Sequence, residues 1–233
     1  MDGLSVDLPK SREGAPKARH ARIVVVASGK GGSGKTTTTR NLAVAATQAG
    51  LSVHTVDLDE SPTLTAWISR RPGDVPRIEH TAMPLKRINP REPLDKTLEA
   101  LVGVDIVFVD TPPSLPEHPQ RAKELFKAAD LLIIPTQQYD EDIEAVTAWA
   151  GAARESQIET LVLLNRTQRR EKSLELAKRR LVKLGALCPI DIPHFADIPK
   201  TFRHGVGVSE LRGAKGGPDY EAIMDHLRRL LRI

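Results

Sequence analysis

The chain has 233 residues, 40% hydrophobic and 27% charged, which suffices for one α/β domain with a sizeable core; 34 Lys and Arg against 30 Asp and Glu leave a net charge of +4. That composition excludes wholesale disorder, and no run of 18 apolar residues marks a membrane-spanning helix. The single cysteine, Cys188, excludes an internal disulfide framework and a cysteine-held zinc or iron–sulfur centre, and beside Pro189 it reads as a small buried apolar residue.

Residues 1–21 carry Gly, Pro, Ser and scattered charge without an apolar period, so a flexible basic arm is expected there, ahead of a single domain over residues 22–233. The start of the chain lacks the pattern of a secretory leader, and a cytoplasmic location is expected. Residues 23–27 form a β-branched run that leads into glycines and then into a helical pattern over 36–49, closed by Gly50. Residues 51–58 and 104–109 read as buried parallel strands that end on acidic residues, and 131–135 and 161–164 as two more. Helical character falls between them at 119–129 and 142–156, whereas 70–93, with five prolines, reads as irregular. Tyr220, Ile223, Met224, Leu227, Leu230 and Leu231 follow the spacing of one face of a terminal helix. The alternation predicts an α/β fold with a mainly parallel twisted sheet, helices on both faces and a ligand at the carboxyl ends of the strands.

Gly29-Lys30-Gly31-Gly32-Ser33-Gly34-Lys35-Thr36 fits GxxxxGK[ST] at every fixed position, directly after a strand and directly before a helix. Glycines let the backbone curl so that successive N–H groups face phosphate oxygens, and the helix start adds its positive end. A tight turn also uses glycines, but the full spacing and its flanks favour a phosphate loop. Lys35 is expected at the β and γ phosphates and Thr36 as a hydroxyl for Mg²⁺, so ATP and Mg²⁺ are the expected cofactors. The expected nucleotide contacts run over Gly31, Gly32, Ser33, Gly34, Lys35, Thr36 and Thr37. Asp110 ends an apolar strand, where a carboxylate can hold Mg²⁺ through a coordinated water. Asp57 and Asp59, two apart at a strand end, are expected to face one side; one would orient metal-bound water and the other the attacking water.

Taken together, the loop with its extra Lys30, Asp57-Leu58-Asp59 and Val109-Asp110-Thr111-Pro112-Pro113 closely resemble the deviant Walker A ATPases of the ParA/MinD family, the small ParA-type partition ATPases above all. Residues 129–135 resemble that family's strand after Walker B, and Leu163-Leu164-Asn165-Arg166 its adenine-contacting segment, so the resemblance covers about residues 23–231. It implies a P-loop NTPase fold, Mg²⁺-dependent hydrolysis of ATP to ADP and phosphate, and a homodimer that sandwiches ATP. By that resemblance Lys30 would reach the phosphates held by the other subunit, Asp59 would position the hydrolytic water and Asp57 would support the magnesium shell. Asn165 would hydrogen-bond adenine and Pro193 would line the base pocket. The implied catalytic set is Lys30, Lys35 and Asp59, and the metal set Thr36, Asp57 and Asp110. Glu60-Ser61 stands where many relatives have Pro-Gln and adds a charge beside the site. Trp67 follows at the distance seen in small partition ATPases, and core packing is its expected role.

The family's cycle implies non-specific DNA binding by the ATP dimer, a nucleoid-associated location, and a ParB-like or other cargo adaptor that stimulates hydrolysis. From 154 to 183 nine Lys or Arg face four Asp or Glu, and Arg169, Arg170, Arg179 and Arg180 are the expected DNA contacts, although a solvated helix face accounts for the same charges. Two alternatives belong to other classes. A MinD-like membrane cycle would use residues 219–233 as an amphipathic helix, for which packing on the sheet is the preferred reading. A metabolic P-loop enzyme would need a substrate pocket that no motif announces.

Overall fold

The computed structural model describes residues 20–89, 91–101, 103–184 and 186–233. Successive side chains of a strand point to opposite faces, and strand β1 (Arg22–Val26) divides the core accordingly. Ile23 and Val25 enter one apolar layer, Val24 and Val26 the other. Burial on both faces is why the central strands read as unbroken apolar runs.

The strands β2 (Val53–Asp57), β3 (Glu79–Ala82), β4 (Ile106–Asp110), β5 (Leu131–Thr136), β6 (Thr160–Thr167) and β7 (Ala186–Leu187) lie in the order β3-β2-β4-β1-β5-β6-β7, and β8 (Ile192–Pro193) pairs with β6. Every ladder is parallel. The chain leaves β1 over helix α1 (Lys35–Gln48) toward β2 on one side and later adds β5 on the other. The segment after β1 therefore sits at the point where the winding reverses, which in open α/β sheets is where ligands bind.

One face is covered by α1, the short α2 (Thr63–Ile68), α7 (Asp197–Lys200) and α8 (Gly217–Leu231), through residues such as Leu42, Val44, Trp67, Ile198, Tyr220 and Leu227. The other carries α3 (Leu94–Glu99), α4 (Pro119–Ala128), α5 (Asp140–Glu155) and α6 (Lys172–Leu181), with Leu98, Phe126, Trp149 and Leu174. The expected strands and helices are present, with ends shifted by a few residues.

Two expectations change. Within the stretch 70–93, expected to be irregular, Glu79–Ala82 pairs with β2 from His54↔Glu79 to Asp57↔Ala82, and Leu85–Arg87 forms a 3-10 turn. This strand lies at the sheet edge and is half-exposed, so it lacks the apolar run that marked the others. The domain also begins before residue 22, because His20 makes a bridge and Ala21 is buried. Residues 1–19 of the expected arm lie outside the described residues.

The terminal helix packs as expected. Ile223, Met224, Leu227 and Leu231 are buried in the same layer as α1, and withdrawing them would cost roughly 6–12 kcal/mol. Among the described residues no helix is long and apolar enough to cross a membrane. Trp67 is fully buried and donates its indole N–H to Val206 O at 3.1 Å, the packing role expected of it. Cys188 is buried too, and burial pushes its thiol up to about 11, far from a reactive thiolate.

Candidate nucleotide site

The loop after β1 turns on two left-handed glycines, Gly32 (φ 77°) and Gly34 (φ 98°). Gly34 caps α1, which has no side-chain cap and no acidic residue in its first turn. The first N–H groups of that helix are thus left for an external acceptor, and its positive end faces the loop. A Cβ on Gly34 would stand 2.2 Å from Asn165 Nδ2, so any larger residue would have to displace the Asn165 amide as well as adopt the left-handed backbone. Lys35 Nζ donates to Lys30 O at 3.2 Å, and Thr36 Oγ1 donates to Asp110 Oδ2 at 2.6 Å. The hydroxyl of Ser33 is buried in the loop with no hydrogen-bond partner among the described residues.

Asp110 ends β4 with complete burial, between Val26 of β1 and Asp57 of β2 in register. Burial pushes its carboxyl up to about 7; the Thr36 hydroxyl opposes this, Asp57 adds to it, Lys35 opposes it, and Asp59 adds to it. Burial also lowers the Lys35 ammonium, against the attraction of Asp110 and Asp59. Asp110 thus feels two further carboxyl groups, Asp57 and Asp59, and one buried ammonium, an arrangement that a hard cation would relieve. Among the described residues no three His, Cys, Asp or Glu side chains form a metal cage. Mg²⁺ does not require one, since it commonly takes one or two carboxylates beside phosphate oxygens and water. The hydroxyl and carboxylate oxygens of Thr36 and Asp110 fit it.

The expectation that Asp57 and Asp59 share one strand face is corrected, because β2 ends at Asp57. Asp57 Oδ2 accepts from the N–H and the hydroxyl of Thr65 at 2.9 and 2.8 Å, and Oδ1 from the Asp59 N–H at 3.1 Å. Asp59 lies in the following turn and accepts from the Ser61 N–H at 2.9 Å. Glu60 is exposed and turned toward the 3-10 turn Leu85–Arg87, where its Oε1 accepts from the Lys86 N–H at 2.8 Å.

Lys30 is held within its own chain by the first turn of α5, with Nζ 2.8 Å from Asp142 Oδ1 and 3.4 Å from Glu141 Oε2. These carboxylates, Asp142 foremost, raise the ammonium above its ordinary value. Two turns along α5, Trp149 backs the loop: a Cβ on Gly29 would stand 2.6 Å from its Nε1. Thr65, Asp142 and Trp149 are site residues that the sequence did not single out, since none belongs to a motif of fixed spacing.

Thr37, Asn165 and Pro193, expected apart in the chain, line one hollow of about 210 Å³ beside the start of α1, with Arg166, Phe195 and Ile198. The Asn165 amide is engaged there: Nδ2 donates to Ser33 O at 3.3 Å, and Oδ1 accepts from the Arg166 N–H at 2.9 Å. A larger hollow, about 370 Å³, lies among His20, Arg22, Leu51 and Asp105 at the opposite ends of the strands, away from every loop residue.

The four arginines expected at DNA are all exposed, but their surroundings differ. Arg169 lies 3.8 Å from Asp191 and 3.7 Å from Asp219, and Arg180 pairs with Asp140. Among the described residues Arg170 and Arg179 make no ion pair.

A central parallel strand that delivers a glycine loop onto a helix without a side-chain cap, with a lysine, a hydroxyl and a buried strand-end carboxylate at its mouth, defines a P-loop nucleotide-binding protein. The family model described as the CobQ/CobB/MinD/ParA nucleotide binding domain matches residues 24–205, and the chain belongs to that family. Maintenance of carboxysome distribution protein A from Gloeobacter kilaueensis is 39% identical over 121 residues, 52% of this chain and 51% of that protein, so the match spans about half the length of this curated relative. Among solved structures, the cell division ATPase MinD of Pyrococcus furiosus superposes with a TM-score of 0.75 at 20% identity, over 90% of this chain and 99% of that one. A putative plasmid partition protein of Borrelia burgdorferi bound to AMPPNP gives 0.73 at 17%, over 91% and 100%. The ATP complex of a Cyanothece McdA variant gives 0.72 at 19%, over 92% and 97%. At these identities the likeness is one of fold.

Proposed function

We propose that the chain is a ParA-like ATPase that binds Mg·ATP at the loop 29–36, dimerises around it, binds DNA non-specifically and positions a cargo through partner-stimulated hydrolysis. The observation that carries this reading is the 2.6 Å contact of Thr36 with Asp110 at the foot of α1, beside the buried Lys35. Backbone N–H groups of the loop and the start of α1 receive the phosphates, and Lys35 leaves Lys30 O to meet the β and γ groups. Thr36 and Asp110 hold Mg²⁺, with Asp57 behind them; the ion, when bound, neutralises charge on the phosphate oxygens. The hollow of Thr37, Asn165 and Pro193 takes the adenine. Asp59, partly exposed at the loop's mouth, positions the hydrolytic water.

Lys30 acts across the dimer, like an arginine finger in trans. Its side chain is 41% exposed, so exchanging Asp142 for a partner's phosphates requires little unburying. The relatives, a carboxysome distribution protein and a putative plasmid partition protein, favour a cargo that is moved or spaced. An adaptor would then set the timing of release, and a cytoplasmic, nucleoid-associated location would follow from the DNA step. Static light scattering on Asp59→Ala with ATP and Mg²⁺ tests the proposal. A dimer that forms with ATP and is absent with ADP is expected; a monomer at saturating ATP would refute the sandwich.

A further inference from the structure

Asp57 is not held by its own strand alone. A run of hydrogen bonds reaches it from β3, at the sheet edge, through α2. Thr65 Oγ1 lies 2.8 Å from Asp57 Oδ2 and 3.0 Å from His80 Nε2, and His80 Nδ1 lies 3.0 Å from Thr55 Oγ1. Thr55 and His80 are register partners of β2 and β3, so the ladder itself sets their separation. We propose that His80 is a positioning residue that fixes the Asp57 carboxylate through Thr65, an inference that rests on the metal-side role of Asp57 proposed above.

The direction of the run follows from what each atom can do. A carboxylate only accepts, so the Thr65 hydroxyl donates to Asp57. Its remaining capacity toward the ring is as an acceptor, which puts the ring proton on His80 Nε2. Burial, the larger influence, holds the imidazole below its ordinary value against the attraction of Asp57. Nδ1 faces the Thr55 hydroxyl, which also donates to Glu79 O at 3.2 Å. His80 thus donates to Thr65 and Thr65 to Asp57, with Thr55 set against the other ring nitrogen.

Each bond in such a series polarises the next. The Thr65 backbone N–H adds a second donor to the same Asp57 oxygen at 2.9 Å. The carboxylate is thereby pinned at the end of β2 beside Asp110, its register partner, instead of turning with a free rotamer. A pre-set carboxylate loses less freedom when the metal arrives. His80 touches neither nucleotide nor metal in this account; it acts through Thr65 alone.

The test is the gain in affinity that Mg²⁺ confers on a non-hydrolysable ATP analogue, measured by equilibrium binding to the full chain with and without the ion. His80→Phe removes the donor and should lower that gain by about three- to tenfold, the order of one lost hydrogen bond, while affinity without Mg²⁺ stays as in the wild type. His80→Gln keeps an N–H near the Nε2 position and should restore the gain to within about twofold. His80→Asn, too short to reach Thr65, replaces the Phe variant if that one does not fold and should show the same loss. An unchanged gain in His80→Phe or His80→Asn, or a Gln variant as impaired as these, would overturn the proposal. Asp57→Asn separates the two claims. If it lowers the gain while the His80 variants do not, only the positioning role fails; if it leaves the gain intact, the metal-side role of Asp57 fails, and the proposal with it.

Discussion

Replacing Gly34 with alanine perturbs the loop at the position where backbone conformation and space are both committed. Its φ of 98° is strained for any residue with a Cβ, at roughly 1–3 kcal/mol. That Cβ would also fall 2.2 Å from Asn165 Nδ2, so the amide must move and give up its contacts with Ser33 O and the Arg166 N–H. Two lost hydrogen bonds add about 1–3 kcal/mol, for a total of about 2–6 kcal/mol. Urea unfolding without nucleotide reads this directly. With a slope of about 2–3 kcal/mol per molar, the upper part of the usual range for a chain of this size, the midpoint should fall by roughly 0.7–3 M. Gly31→Ala is the control, because its Cβ meets nothing within 4 Å and its φ is not positive; its midpoint should change by no more than about 0.5 kcal/mol equivalent. The loop could also relax by swinging off Asn165, in which case stability is spared and ATP affinity falls instead. Equal midpoints for the two variants together with wild-type ATP affinity in Gly34→Ala would refute the packing argument.

Asp110 gives a pH dependence whose sign is set by its raised carboxyl. Between its ordinary range near 4 and its folded value of about 7, the native state holds a proton that the unfolded chain has lost. Stability of the nucleotide-free protein should therefore fall as pH rises through that window, by at most a few kcal/mol, and Asp110→Asn should flatten the slope. Mg²⁺ competes with the same proton, so Mg·ATP binding by calorimetry should strengthen from pH 6 to 7.5; a pH-independent affinity would count against the metal role. For DNA, Arg170→Ala with Arg179→Ala should lower the salt slope of ATP-dependent binding by about two units. Arg169→Ala with Arg180→Ala should lower it by less, since carboxylates already neutralise both. Equal effects, or none, would place the DNA surface elsewhere, with Lys200, Arg203 and Lys215 the next candidates.

The parts of the site that were legible in the sequence are those whose chemistry demands a fixed spacing. The loop 29–36 and Asp110 announced themselves because a phosphate cradle and a strand-end carboxylate must adjoin buried strands, which read as apolar runs. Edge strand β3 did not, since Glu79-His80-Thr81-Ala82 is half-exposed and carries no such run. Asp57 and Asp59 were recognised as a pair, but strand alternation could not place them once β2 ended at Asp57. Asp142 and Trp149 were invisible for another reason. Their partners Lys30 and Gly29 lie far away in the chain, and only the crossing of α5 over the loop brings them together. Asn165 stands out in the sequence only through the segment 163–166 and its resemblance, whereas its hydrogen bond to the Ser33 carbonyl depends on packing.

Binding of ATP to the wild-type chain and to Lys35→Ala, each with and without Mg²⁺, tests the central claim most directly. Equilibrium dialysis should give saturable binding by the wild type that Mg²⁺ strengthens. Lys35→Ala should lose at least about tenfold to a hundredfold in affinity, the order of one or two charge-assisted hydrogen bonds, while circular dichroism shows the fold retained. Wild-type affinity in a folded Lys35→Ala variant would contradict the assignment of this loop as the nucleotide site.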